Sequence, residues 1–215
     1  MKLLAHLVPA SGAAPALADR LREVARELGA TALWRLERDP FGAKTPWHGT
    51  LELEGDEGAL LAAAAGLAER FAPLVDAAAS TALVGREHRF VASERAPVRY
   101  QYLMRRRTDF SHEAYLARYR DVHAQFGLRT PGILAYVQVH VDPAASRRAA
   151  DASGLGVWDV DRVSELHLAS LGTFLRALVG SSIGAEAVAD EEHFVDRARS
   201  LDLCSHVTWP ERSPA

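Results

Sequence analysis

Ser93-Glu94-Arg95-Ala96-Pro97 divides the chain, because the order of elements read before this stretch is read again after it. Upstream, Leu3–Val8 is a short strand and Pro15 opens a helix marked by Leu17, Leu21, Val24, Ala25 and Leu28, with Gly29 at the C′ position. Thr31–Arg38 and Thr50–Glu54 follow as strands, the second alternating apolar with acidic residues as if one face were wet. Asp56 caps a helix from Glu57 to about Val75, and Ala82–Val91 closes the unit as a strand. Downstream, Val98–Arg106 is a strand, Ser111–Phe126 a helix and Gly132–Val141 a strand rich in β-branched residues. Asp142–Trp158 reads as a loop and Ser164–Ser170 as a strand. Helical segments at Leu171–Leu178 and around Ala185–Phe194 precede a last strand, Leu201–Trp209.

Each half is therefore β-α-β-β-α-β, the ferredoxin-like split βαβ arrangement. Its sheet carries helices on one face only, and the other face needs a cover. The expected fold is α+β: two ferredoxin-like repeats, residues 1–92 and 98–211, packed sheet to sheet as an internal α+β barrel. The five-residue connection argues against two independent domains on a flexible tether.

Composition narrows the functional classes. The chain has 215 residues, a formal charge of −3 and one cysteine, Cys204, which excludes an intrachain disulfide. Nothing in the charge balance points to nucleic acid. The apolar run Ala59–Leu67 is far short of the ~20 residues of a membrane span. His6 interrupts the apolar start, so no targeting segment is read and a cytoplasmic protein is expected, with no nucleic-acid or membrane partner and a homodimer of the pseudo-dimeric chain as a possibility.

Polar residues concentrate in the second half. On the helix at Ser111–Phe126, Tyr115, Tyr119, Val122 and Phe126 share a face at ~100° per residue, and His123 lies at its border. A histidine there either bonds a backbone carbonyl or aims its ring into a pocket, where a pKa near ~6.5 suits proton transfer. Burial would lower that pKa and a nearby carboxylate would raise it. Strand alternation puts Tyr136, Gln138 and His140 on one face, Tyr100 and Tyr102 on one face, and Glu165 and His167 on one face. Arg105-Arg106-Arg107 could hold an anionic tail or simply be solvated. Walker, dinucleotide-fingerprint, His-Glu-x-x-His and Gly-x-Ser-x-Gly motifs are absent. Cys204 and His206 share a face, but two ligands do not make a zinc site, so no metal is expected.

These residues carry a resemblance. Tyr102-Leu103-Met104-Arg105-Arg106-Arg107, Phe110-Ser111-His112-Glu113-Ala114-Tyr115, Tyr119-Arg120-Asp121-Val122-His123-Ala124, Pro131-Gly132 and Tyr136-Val137-Gln138-Val139-His140 occur in that order. So do Val163–Ser170 and Glu192-His193-Phe194-Val195-Asp196. The pattern resembles the EthD family of the dimeric α+β-barrel superfamily, over roughly Val98 to Glu211. The first half lacks it: its helix ends Glu27-Leu28-Gly29-Ala30, with no histidine where His123 would align.

The resemblance implies a small-molecule site that works without a cofactor, in a family linked to polyketide decarboxylation, cyclisation or dehydration, to cofactor-free oxygenation and to degradation of ethers and aromatics. The expected function is an EthD-like, cofactor-free enzyme of lyase type acting on an enolisable aromatic or polyketide-type molecule. His123 is the expected general base and Tyr102 the donor to the developing enolate. Tyr100, Tyr136, Gln138, His140 and His167 are expected to bind substrate. A cofactor-independent monooxygenase and a non-catalytic binding protein are the alternatives.

Overall fold

The computed structural model describes residues 1–92 and 95–210. Of the expected connection and C-terminal boundary, Ser93, Glu94 and Glu211 lie outside the described residues. The first half contains strand β1 (Lys2–Pro9), helix α1 (Ala14–Leu28), strands β2 (Thr31–Arg35) and β3 (Gly49–Glu54), helices α2 (Glu57–Ala64) and α3 (Leu67–Phe71), and strand β4 (Val75–Val91). The second half contains β5 (Val98–Met104), α4 (His112–Arg118), a π-helical turn (Tyr119–His123), α5 (Ala124–Arg129), β6 (Ile133–Val141), α6 (Pro143–Ser153), β7 (Arg162–Leu168), α7 (Leu171–Val179), α8 (Ile183–Glu191) and β8 (Leu201–Thr208).

The eight strands form one closed antiparallel barrel in the order β1-β3-β2-β8-β5-β7-β6-β4. Within it each half keeps its own four-stranded sheet, and two seams join them. At one seam β2 pairs with β8, Leu33 opposite Val207. At the other, β4 leaves β1 and pairs with β6, the change of partner falling at Gly85. A Cβ at Gly85 would sit 2.4 Å from the His140 carbonyl oxygen, so only glycine lets the strands meet there. Closure leaves no sheet edge open, as the repeat predicts.

Three local expectations are corrected. The helix expected from Glu57 to Val75 is two short helices, because the backbone leaves helical geometry at Ala65 (ψ 125°). Residues 65–75 then turn back to start β4 seven residues before the expected Ala82. The stretch Asp142–Trp158 is largely helical. Asp142 accepts hydrogen bonds from the Ala144 and Ala145 amides, and Pro143 suits the first turn. Its buried side, including Ala145, Ala149 and Ser153, is made of small residues, which weakens the hydrophobic period but permits close packing on β4 and α2.

The third correction concerns the acidic face of β3. It is not wet. Glu52 points into the barrel and is 4% exposed. There the Lys2 ammonium lies 2.8 Å from Glu165, 2.8 Å from Glu87 and 3.3 Å from Glu52. Arg99 Nη1 lies 2.8 Å from Glu52 and 3.2 Å from Glu165, whose other oxygen accepts from Gln101. Burial alone would push the Lys2 ammonium down, but Glu165 and Glu52 hold it above its ordinary value. Beside the cluster the lumen holds an apolar layer of Leu4, Leu83, Leu103, Val139, Val163 and Trp47, and a buried His6–Thr50 pair.

Breaking a buried ion cluster by removing one partner leaves uncompensated charge. Lys2→Met should therefore cost ~3–5 kcal/mol in urea unfolding, and a variant as stable as the parent would refute the structural role of the cluster. Residues 1–92 and 98–211 expressed separately should each partition to the insoluble fraction, since each would expose two strand edges and a charged inner face.

Candidate functional site

The site lies on the outer face of the second sheet, beneath its helices. Here β5 presents Tyr100, Tyr102 and Met104, β7 presents Ser164 and Leu166, and β6 presents Tyr136. The π-helical turn with α5, and helices α7 and α8, form the opposite wall. The cavity between them is about 320 Å³. The described helices include none long and apolar enough to cross a membrane.

A regular helix over residues 111–126 would bury Val122 and leave His123 at the border. The structure reverses this. Ala124 N bonds Tyr119 O, an i→i+5 link that inserts one extra residue into the turn. After it the buried stripe runs Tyr115, Tyr119, His123, while Val122 is 42% exposed. His123 is 3% exposed and lines the cavity.

Two carboxylates from the end of α8 meet the ring. His123 Nδ1 is 2.8 Å from Asp190 Oδ2, and Nε2 is 3.7 Å from Glu191 Oε1. Arg118 Nη2 is 2.5 Å from the other Asp190 oxygen. Asp190 thus already has a counter-ion, and burial pushes the His123 pKa down to about 4 against the pull of its hydrogen bond to Asp190. The ring is neutral at pH 7, donates from Nδ1 to Asp190 and keeps its lone pair on Nε2. Glu191 moves the opposite way: burial raises it to about 7 even though Arg197 pairs with it.

Tyr100 Oη donates to Asp202 Oδ2 at 3.1 Å, and burial pushes both groups up. Tyr102 lines the cavity, its phenol also raised by burial. Tyr136 lies flat under α5, where a Cβ on Gly127 would come within 2.3 Å of its ring. Gln138 Nε2 donates to Tyr136 Oη at 2.6 Å, and His140 Nε2 donates to Gln138 Oε1 at 3.0 Å. Gln138 and His140 therefore stand behind Tyr136 instead of lining the cavity. His140 rests on His88 of β4, ring centroids 4.2 Å apart.

His167 is corrected outright. On β7 the outward residues are Arg162, Ser164 and Leu166; Glu165 and His167 point into the lumen, on the other side of the sheet from His123. Arg105, Arg106 and Arg107 are spent on Asp159, Asp161 and Asp109. The Asp142–Trp158 stretch covers the first half of the barrel and not the site.

Asp190, Glu191 and Asp202 were not singled out from the sequence. Neither was Phe41, which comes from the first half and meets Tyr100 edge to face at 4.9 Å. Its loop is tied to β8, where Leu36 N bonds Cys204 O at 2.9 Å and Cys204 N bonds Asp39 Oδ2 at 2.8 Å. Among the described residues no group of three His, Cys, Asp or Glu is placed to hold a metal.

No curated protein sequence matches the chain. Solved structures do. An anthrone oxidase-like protein aligns with a TM-score of 0.59 at 13% identity, over 100% of this chain and 94% of its own. A protein assigned as a monooxygenase from Lactobacillus acidophilus NCFM aligns with a TM-score of 0.54 at 9% identity, over 97% and 94%. A mutant chlorite dismutase from Candidatus Nitrospira defluvii aligns with a TM-score of 0.51 at 12% identity, over 95% and 89%. At these identities the likeness is one of fold. In sequence, the EthD domain family matches residues 107–198, which include the π-helical turn, His123 and the Asp190–Glu191 pair. Residues 107–198 thus match the EthD domain family, within a chain whose two halves close a single eight-stranded α+β barrel.

Proposed function

We propose that the protein is a cofactor-free enzyme that removes a proton from carbon in an enolisable aromatic or polyketide-type molecule, with a lyase or cyclase outcome. The observation that carries this is the Asp190–His123–Glu191 arrangement at the wall of a largely apolar cavity. A neutral imidazole with a fixed tautomer is a base, and a carboxyl titrating near neutrality is an acid.

In this reading His123 Nε2 takes the proton from the carbon next to the substrate carbonyl. Asp190 keeps the other nitrogen protonated and stabilises the imidazolium that forms. Tyr102 donates to the carbonyl oxygen as it becomes an enolate. Glu191, protonated, gives its proton to the leaving oxygen as the carbon–oxygen bond breaks, and the imidazolium proton then returns to the Glu191 carboxylate, which restores both groups. Tyr100 and Tyr136 hold the aromatic body, while Gln138 and His140 fix the Tyr136 hydroxyl from behind.

A second reading starts from the same carbanion. It would react with dioxygen instead of losing a group, the activity suggested by the monooxygenase and anthrone oxidase-like names of similar folds. Oxygen uptake during turnover separates the two. Ligand binding without any turnover would leave a binding protein.

His123→Gln should lower turnover ~10²–10⁴-fold with little change in Tm, the usual contribution of general acid–base catalysis. Full turnover in that variant would remove His123 from the chemistry. The pH profile of kcat/KM should be bell-shaped. The base works only when unprotonated, so activity falls as pH drops through about 4. The acid works only when protonated, so activity falls as pH rises through about 7. Glu191→Gln should abolish the alkaline limb; a limb near 7 that survives this change belongs to another group.

A further inference from the structure

Arg162 is 0% exposed, and none of its three guanidinium nitrogens has a hydrogen-bond partner among the described residues. Several other arginines of the second half have carboxylate partners. Arg99 has Glu52 and Glu165, and Arg105, Arg106 and Arg107 each have an aspartate. Asp161, next in the chain to Arg162, gives its carboxylate to Arg106 and His112. A guanidinium cannot shed its proton, and leaving one buried without counter-charge is costly.

No carboxylate of the described residues lies within ion-pair distance of Arg162; Glu191, the acid of the cavity that feels its charge, pairs with Arg197. The Tyr119 ring stacks over the guanidinium. The Tyr115 hydroxyl is likewise buried without a partner. His140, opposite Arg162 on β6, is held neutral by burial and by the positive charge beside it. Such a cluster lacks one thing, an acceptor with negative charge, and a carboxylate presents two oxygens to the planar fork of an arginine.

The cluster adjoins the cavity already described. Met104, which pairs with Arg162 across β5, and Ser164, two positions along β7, both line that cavity. Tyr119 is a shared wall, lining the cavity and covering Arg162. It is also the first residue of the π-helical turn, a local departure from regular helix of the kind found at functional sites.

We propose that Arg162 is the substrate-anchoring residue, and that the ligand of this site is an aromatic or polyketone carboxylic acid. Its carboxylate pairs with Arg162 and the Tyr115 hydroxyl once the Tyr119 ring turns aside, and its carbon skeleton fills the apolar cavity in front of His123. The proposal rests on the reading that this cavity takes a small enolisable molecule, and adds the charge that molecule carries.

The test compares 2-naphthoate with 2-naphthamide, neutral but similar in shape, by calorimetric titration of the full-length protein. The wild type should bind the acid ~10–100-fold more tightly, the value of hydrogen bonds to a charged partner. Arg162→Met should erase that preference while leaving the amide affinity unchanged. Arg162→Lys, which keeps charge but not the fork, should retain part of it and serves if the Met variant does not fold. Equal binding of acid and amide by the wild type, no binding of the acid at millimolar concentration, or a preference that survives Arg162→Met would each overturn the proposal. His123→Gln should keep the acid preference, so a failure of the proton-transfer chemistry is seen separately from a failure of the anchor.

Discussion

Five charges inside the barrel set the terms for everything else. Lys2, Glu52 and Glu87 come from the first half, and Arg99 and Glu165 from the second. None could be buried alone, and they compensate one another only when both sheets close around them. Strand alternation makes the cluster a check on register. A slip of one residue would drive these side chains into the helix-packed outer faces and bring the outer apolar residues into the lumen. Once the inner faces are committed, all remaining chemistry is displaced to the outside of the sheets. That is why the candidate site lies between sheet and helices and not within the barrel.

The repeat was legible because it rests on coarse signals: element order, helix spacing and a short connection. Closure followed from the uncovered face of each sheet. Less legible was anything set by tertiary context. Glu52 and Glu54 look like a solvated edge until β1 of the same half brings Lys2, and β5 of the other half brings Arg99, to Glu52. The helix α6 was hidden because its buried positions are Ala and Ser, whose burial reflects close packing and not hydrophobicity.

The site was half legible. His123, Tyr100, Tyr102 and Tyr136 do line one cavity. The regular helical period put His123 at the wrong angle, since a π-helical turn carries no obvious sequence mark and changes the phase of every later residue. Asp190 and Glu191 reach His123 from more than sixty residues away in the chain, a separation that no local spacing reveals. His167 was misplaced for a simpler reason. Alternation gives the set of residues that share a face but not which face that is, and on β7 the face holding Glu165 and His167 belongs to the lumen.

Phe41 belongs to the half that supplies none of the proposed catalytic residues, yet it stands at the wall of the cavity against Tyr100. In an assembly of identical subunits such a loop could not change without altering every copy of the site at once. Joining the halves in one chain removes that tie. The exposed part of the loop around Phe41 is free to diverge while Trp47 stays in the core and the sheet and helices that carry His123 stay as they are. On the proposed chemistry, differences in substrate choice among proteins built this way should then be sought in the repeat without His123, the variable jaw of a tool whose other jaw stays fixed.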